Sequence, residues 1–208
     1  MKYKKYFRKT SLKQTNIGDL FLEEVQKYNP KIFLEIGIFH GVTARNVCEL
    51  MHKNHGENFR YIGIDIFDEG DQYKDEVTPA KTFNNPLKNF YFKYIKRQNP
   101  YSLEAVEDLL SKFKKNTTLL KGNSNEILKN IELEKVDFIF IDGGHEYNTV
   151  KNDLFHSHRL LKSRGTILCD DLNLSQALGV RQAIKEFSDE NKIKYEIVHE
   201  RFAKFDFN

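Results

Sequence analysis

The chain changes hydrophobic period repeatedly along its length, and that alternation restricts its fold more than any other feature. Short apolar runs, KIFLEIG (31–37), FRYIGIDIF (59–67), NTTLLKGNS (116–124), VDFIFIDGG (136–144) and GTILCDDL (165–172), read as buried strands. VTARNVCELMHK, SLEAVEDLLSKFKK, NTVKNDLFHSHRLLK and GVRQAIKEFSDE instead repeat their apolar residues at helical spacing. Strands alternating with helices predict an α/β fold, a doubly wound parallel sheet covered on both faces. An earlier helix opens at Ile17, places Leu20, Phe21, Val25 and Tyr28 on one face, and stops at Asn29-Pro30. The closing YEIVHERFAKFDF reads as two strands around a turn, an antiparallel hairpin on the sheet edge.

With 208 residues, 39% of them hydrophobic, the chain buries one full core, so a single domain over 1–208 is expected. Its 33 basic residues are scattered and nearly matched by 30 acidic ones, which argues against a nucleic-acid partner. No apolar run is long enough for a membrane span or a signal peptide. Cys48 and Cys169 fall in a helix and a strand without metal-ligand spacing, so they are expected as buried thiols in a reducing cytoplasm.

Two segments stand outside the alternation. Residues 1–16 carry six Lys or Arg and no acid, interleaved with Tyr3, Tyr6 and Phe7; this composition favours a solvated tail over an arm laid across a site. Residues 68–100 are far longer than the connection needs. Their NNPLKNFYFKYIKRQNP reads as an amphipathic helix packed on the domain or at a homodimer contact, with a substrate lid as the alternative.

Ligands of an open parallel sheet sit beyond the carboxyl ends of its strands. Those ends offer Glu35-Ile-Gly-Ile-Phe-His-Gly41, then Asp65, Gly122-Asn123-Ser124, Asp142-Gly-Gly-His145 and Asp170-Asp171. The glycine spacing is not GxGxxG, which weakens the case for a pyrophosphate, and Glu35 would repel one. Asp65 suits the ribose hydroxyls of a nucleoside. Three carboxylates, Asp142, Asp170 and Asp171, would repel one another unless a cation lies between them, and a hard divalent ion, Mg²⁺, is the economical answer. Neighbours on a strand face opposite ways, so Asp170 and Asp171 converge only where the strand has begun to turn. The structural alternative has one capping the next segment and the other paired with Arg181 or Lys185. His145, three residues after Asp142, is the candidate base for a hydroxyl proton, with an exposed loop histidine, one of seven histidines in the chain, as the alternative. His156 and His158 lie on a helix with no chemical role, and His40, in the glycine loop, borders the ligand pocket with no role assigned.

The ordered set ExGxxxG, an acid at the second strand end, IDGGHEYNTVKNDL, and GTILCDD followed by GVRQAIKEF resembles class I S-adenosylmethionine-dependent methyltransferases, in particular the macrocin O-methyltransferase-like (methyltransferase-24) small-molecule enzymes. The resemblance spans about residues 30–190. It implies a Rossmann-like sheet of seven strands, the last antiparallel. It also implies that Glu35, Gly37 and Gly41 shape the pocket for the amino-acid end of S-adenosylmethionine, that Asp65 takes both ribose hydroxyls, and that Asn123 and Ser124 lie against the adenine. Gly37 and Gly41 could instead serve close packing, and Ser124 could cap a helix. Asp142 would serve cofactor, metal and catalysis together, beside His145. The implied reaction is metal-dependent O-methylation of a small-molecule hydroxyl, of sugar or natural-product type. A cephalosporin-hydroxylase-like metal-dependent protein, or a non-catalytic cofactor-binding protein of the same fold, is the alternative; a dehydrogenase using NAD lacks the glycine spacing.

Overall fold

The computed structural model describes residues 1–67, 83–174 and 177–207. Five of the apolar runs become β1 (Ile32–Ile36), β2 (Arg60–Asp65), β3 (Thr117–Lys121), β4 (Val136–Ile141) and β5 (Leu161–Cys169), and the last thirteen described residues supply β6 (Glu196–Val198) and β7 (Phe202–Asp206). The sheet order is β3-β2-β1-β4-β5-β7-β6. All pairings are parallel up to β5; β7 runs antiparallel to both β5 and β6. The strand order reverses between β1 and β4, which places the ligand crevice at their carboxyl ends.

Period-two alternation explains the two cores. On β1, Phe33 faces a layer built with Phe21 of α1 (Ile17–Tyr28), Val47 of α2 (Val42–His55) and Val106 of α4 (Leu103–Leu110). Leu34 and Ile36 face the other layer, with Leu128 of α5 (Ser124–Asn130), Leu154 of α6 (Tyr147–Leu160) and Ile184 of α7 (Leu178–Asn191). Caps define the helix starts nearest the crevice. Ser102 Oγ accepts the Ala105 N–H at 3.3 Å to begin α4, and Asn123 Oδ1 accepts the Asn125 N–H at 2.8 Å to begin α5. The cap of α5 is therefore Asn123, with Ser124 the first helical residue.

The N-terminal segment is not a solvated tail. Tyr3 Oη bonds Thr10 and Thr43 at 2.7 and 2.8 Å, Leu12 is buried in the first core, and Arg8 is enclosed. The Arg8 guanidinium donates to the carbonyls of Pro100 (3.0 Å) and Ala105 (2.6 Å) and lies 5.2 Å from the Phe92 ring centre. Composition misleads here because most of the lysines, and Phe7, face outward while Leu12 and one arginine face inward. Of the 68–100 insertion, residues 68–82 lie outside the described residues. The remainder forms α3 (Pro86–Phe90), which runs into a π-helical turn over Tyr91–Lys96, with Phe92 buried against Phe83. Both cysteines are free and buried. Among the described residues no helix is long and apolar enough to cross a membrane.

Candidate active site

The ladder continues one residue past β1 and β4: the Gly37 N–H donates to Ile64 O at 2.9 Å and the Asp142 N–H to Ile36 O at 2.8 Å. Gly37 has φ +90°, and a Cβ there would sit 2.1 Å from the Asp142 carbonyl oxygen, so only glycine lets the two strand ends close up. Beyond them lies a cavity of about 220 Å³. Gly37, Asp65, Asn123 and Ser124 wall one part of it, Asp142, His145 and Asp171 another, and Ser11 and Tyr101 complete the lining.

Asp65 is fully engaged by its own chain. Oδ2 accepts the N–H groups of Ile38 (2.6 Å) and Phe39 (2.8 Å); Oδ1 accepts the Phe67 N–H (2.5 Å) and the Tyr101 hydroxyl (2.9 Å). Burial raises its pKa, and those four bonds oppose the rise. Phe39 and Phe67 both sit at positive φ, so the carboxylate holds two strained loops in place.

Glu35 does not line the cavity. Its Oε2 accepts the Tyr61 hydroxyl at 2.5 Å, and its Oε1 is buried without a partner among the described residues. Burial pushes its pKa up to about 8, a rise that the Tyr61 bond reduces and Asp65 increases. Gly41, at φ +74°, caps α2 and packs against Val106 of α4 at a distance that leaves no room for a methyl group. Packing between helices therefore accounts for Gly41 in this structure. His40 is buried among aromatic rings with both ring nitrogens unpartnered among the described residues; burial and the nearby Arg8 and Lys9 charges lower its pKa to about 3 and keep it neutral.

The acidic cluster is compact, with one oxygen each from Asp142, Asp170 and Asp171 lying within 4.8 Å of the others. The turn needed for convergence is present, since Asp171 has φ +60° just after β5 ends. Arg201, from the β6–β7 turn, forks onto Asp170 through Nε–Oδ1 (2.5 Å) and Nη2–Oδ2 (2.6 Å), and its Nη2 lies 3.6 Å from Asp171 Oδ1. The sequence-based pairing with Arg181 or Lys185 is thus replaced by Arg201; Arg181 bonds Leu172 O and Asn173 instead. Asp171 Oδ2 meets His145 Nε2 at 2.9 Å, and Asp142 Oδ2 accepts from Ser11 Oγ at 2.6 Å. Burial, then the charges of Asp170 and Asp171, push the Asp142 carboxyl well above the usual carboxylate range. Three carboxylates against one guanidinium leave an excess of negative charge, and this donor set of hard oxygens fits a hard divalent cation.

Arg201, Tyr101 and Ser11 escaped the sequence reading. None of the three had a local sequence signal, and Arg201 is placed only by strand pairing. Carrying the β5–β7 register, in which Cys169 faces Ala203, two residues further puts Arg201 opposite Asp171.

A seven-stranded sheet in this order, with acids at the ends of β2, β4 and β5 around one crevice, defines a class I S-adenosylmethionine-dependent methyltransferase. A family model described as a methyltransferase domain matches residues 34–172, and the chain belongs to that family. No curated protein matches the sequence. Solved structures agree in fold at low identity. The O-methyltransferase NovP aligns at 12% identity over 93% of this chain and 82% of its own, with a TM-score of 0.68. CalS11, a TDP-rhamnose 3′-O-methyltransferase of calicheamicin biosynthesis, aligns at 15% over 95% and 82%, with a TM-score of 0.62. An O-methyltransferase from Bacillus cereus in complex with S-adenosylhomocysteine aligns at 13% over 95% and 82%, with a TM-score of 0.59.

Proposed function

We propose that the protein transfers a methyl group from S-adenosylmethionine to a hydroxyl of a small molecule, a sugar or natural-product scaffold, with Mg²⁺ at the acidic cluster. One observation carries this reading: a single cavity joins a nucleoside-type wall at Gly37, Asp65 and Asn123 to an acid–imidazole wall at Asp142, Asp171 and His145. The likeness to CalS11 supports a sugar acceptor, and the Bacillus cereus complex supports the cofactor.

Asp142 and Asp171, with Asp170 forked onto Arg201, would hold Mg²⁺, which would supply positive charge, and the cofactor would supply an electrophilic sulfonium methyl. The chain's part is alignment and proton transfer. Asp171 accepting from His145 assigns the ring its Nε2–H tautomer, which makes Nδ1 the basic nitrogen. Nδ1 would take the proton that the acceptor hydroxyl loses on methylation, and Asp171 would stabilise the imidazolium. The exposed apolar residues Leu87, Phe90, Tyr94 and Ile95 support a contact with a second copy, and the two free, buried thiols support a cytoplasmic setting.

Calorimetric titration of metal-stripped protein with S-adenosylhomocysteine and with NAD, each with and without Mg²⁺, tests the reading. Heat is expected from the first ligand alone, and product from a hydroxylated acceptor should gain the mass of a methylene, not of an oxygen. No binding of S-adenosylhomocysteine in either condition overturns it.

A further inference from the structure

Among the described residues, each acid of the cluster meets one hydrogen-bonding side chain, and each of those comes from a different element. Arg201 of the C-terminal hairpin forks onto Asp170, His145 of the loop after β4 meets Asp171, and Ser11 of the N-terminal segment donates to Asp142 Oδ2 at 2.6 Å. Ser11 also lines the cavity. It lies 131 residues from Asp142 in sequence, so only the anchoring of its segment keeps the hydroxyl in place. That anchoring is thorough. Asn46 of α2 bonds both the N–H and the carbonyl of Lys4, at 2.9 and 2.8 Å. Thr10 and Leu12, on either side of Ser11, are buried; Thr10 Oγ1 accepts the Leu12 N–H at 3.2 Å and bonds the Tyr3 hydroxyl that also reaches Thr43. Arg8 ties the same segment to the carbonyls of Pro100 and Ala105.

We propose that Ser11 is a positioning residue for the transfer reaction: its hydroxyl fixes the Asp142 carboxylate in the orientation that receives Mg²⁺. The inference rests on the metal reading above and extends it to the N-terminal segment, which becomes part of the site as well as part of the fold. The chemistry of the donor matters. Asp170 and Asp171 repel the Asp142 carboxylate, and a hydrogen bond from a fixed neighbour opposes its swinging away. A hydroxyl does this without adding charge, so the negative excess that attracts a cation is kept, whereas a lysine at the same place would cancel it. Hydrogen bonds of this kind to a ligating carboxylate are worth about 10- to 100-fold in metal affinity.

Ser11→Ala removes the hydroxyl, and Ser11→Thr keeps one. The test titrates Mg²⁺, and separately S-adenosylhomocysteine without metal, into the wild type and both variants, and records their melting temperatures. S11A should bind Mg²⁺ about tenfold more weakly than the wild type, and S11T should recover most of that loss. Affinity for S-adenosylhomocysteine and melting temperature should hold in all three proteins. Equal Mg²⁺ affinity in the wild type and S11A overturns the proposal while leaving the metal reading intact, and so does an S11T variant that binds Mg²⁺ no better than S11A. A loss of Mg²⁺ affinity matched by losses in S-adenosylhomocysteine binding and melting temperature also overturns it, because Ser11 would then only support the fold. A wild type that binds S-adenosylhomocysteine but no Mg²⁺ overturns the metal reading itself, and the proposal with it.

Discussion

Asp65 and Asp142 lie on the same cavity at the ends of strands β2 and β4, and they are stabilised in opposite ways. Asp65 is held by four neutral donors of its own chain, so its charge is balanced by dipoles before any ligand arrives. Asp142 receives one hydroxyl from Ser11 and faces two more carboxylates, with the nearest guanidinium already forked onto Asp170. The first site is complete in itself; the second is short of positive charge. A binding wall is thus prebuilt at one end, and the other end is left for an ion or a proton to finish.

The most severe way to break this contrast is to push its two ends apart. Gly37→Ala places a methyl group where the Asp142 carbonyl stands, and it should cost at least about 3 kcal/mol and abolish binding of S-adenosylhomocysteine, read by melting and calorimetry. Asp142→Asn removes the uncompensated charge alone. Turnover should fall about a thousandfold, about 4 kcal/mol in barrier, while the melting temperature holds or rises; a clear drop in melting temperature would show that Asp142 is already balanced. Asp170→Ala should do the reverse to stability, stranding a mostly buried Arg201 at a cost of about 3 kcal/mol, or roughly 10 °C.

The smallest effect belongs to Glu35, a third strand-end acid met by one hydroxyl, that of Tyr61, with its other oxygen unpartnered among the described residues. Its unfolded carboxyl ionises near 4.5 and its folded one near 8, so between those values the folded state holds the extra proton and stability falls as pH rises. Glu35→Gln should remove about 1 kcal/mol per pH unit of that slope. Melting curves of the two proteins should therefore diverge from pH 5 towards pH 8, with the variant the more stable; parallel curves would mean that Glu35 is ionised throughout.

The strands, the C-terminal hairpin and the acids at the strand ends were legible because each is written in a run of neighbouring residues. The apolar periods of FLEIG and FIFID fix which residues are buried, and the acid that follows each run marks where the strand meets solvent. What balances those acids was not legible. Tyr101 reaches Asp65 from beyond the insertion, Ser11 reaches Asp142 from the other end of the chain, and Arg201 reaches Asp170 from a hairpin turn. Each is a pairing set by topology and not by spacing. The N-terminal segment failed for a related reason: net charge describes where most of its side chains point and says nothing of Arg8, the one that turns inward.

The placement of Arg201 in the β6–β7 turn also sets an order of events during synthesis. A nascent chain that has extruded Asp142, Asp170 and Asp171 still lacks the guanidinium that lets two of them lie side by side, because β7 must first slot in beside β5. A chain ending before residue 201 would therefore carry the three carboxylates without the guanidinium that pairs with Asp170 and approaches Asp171.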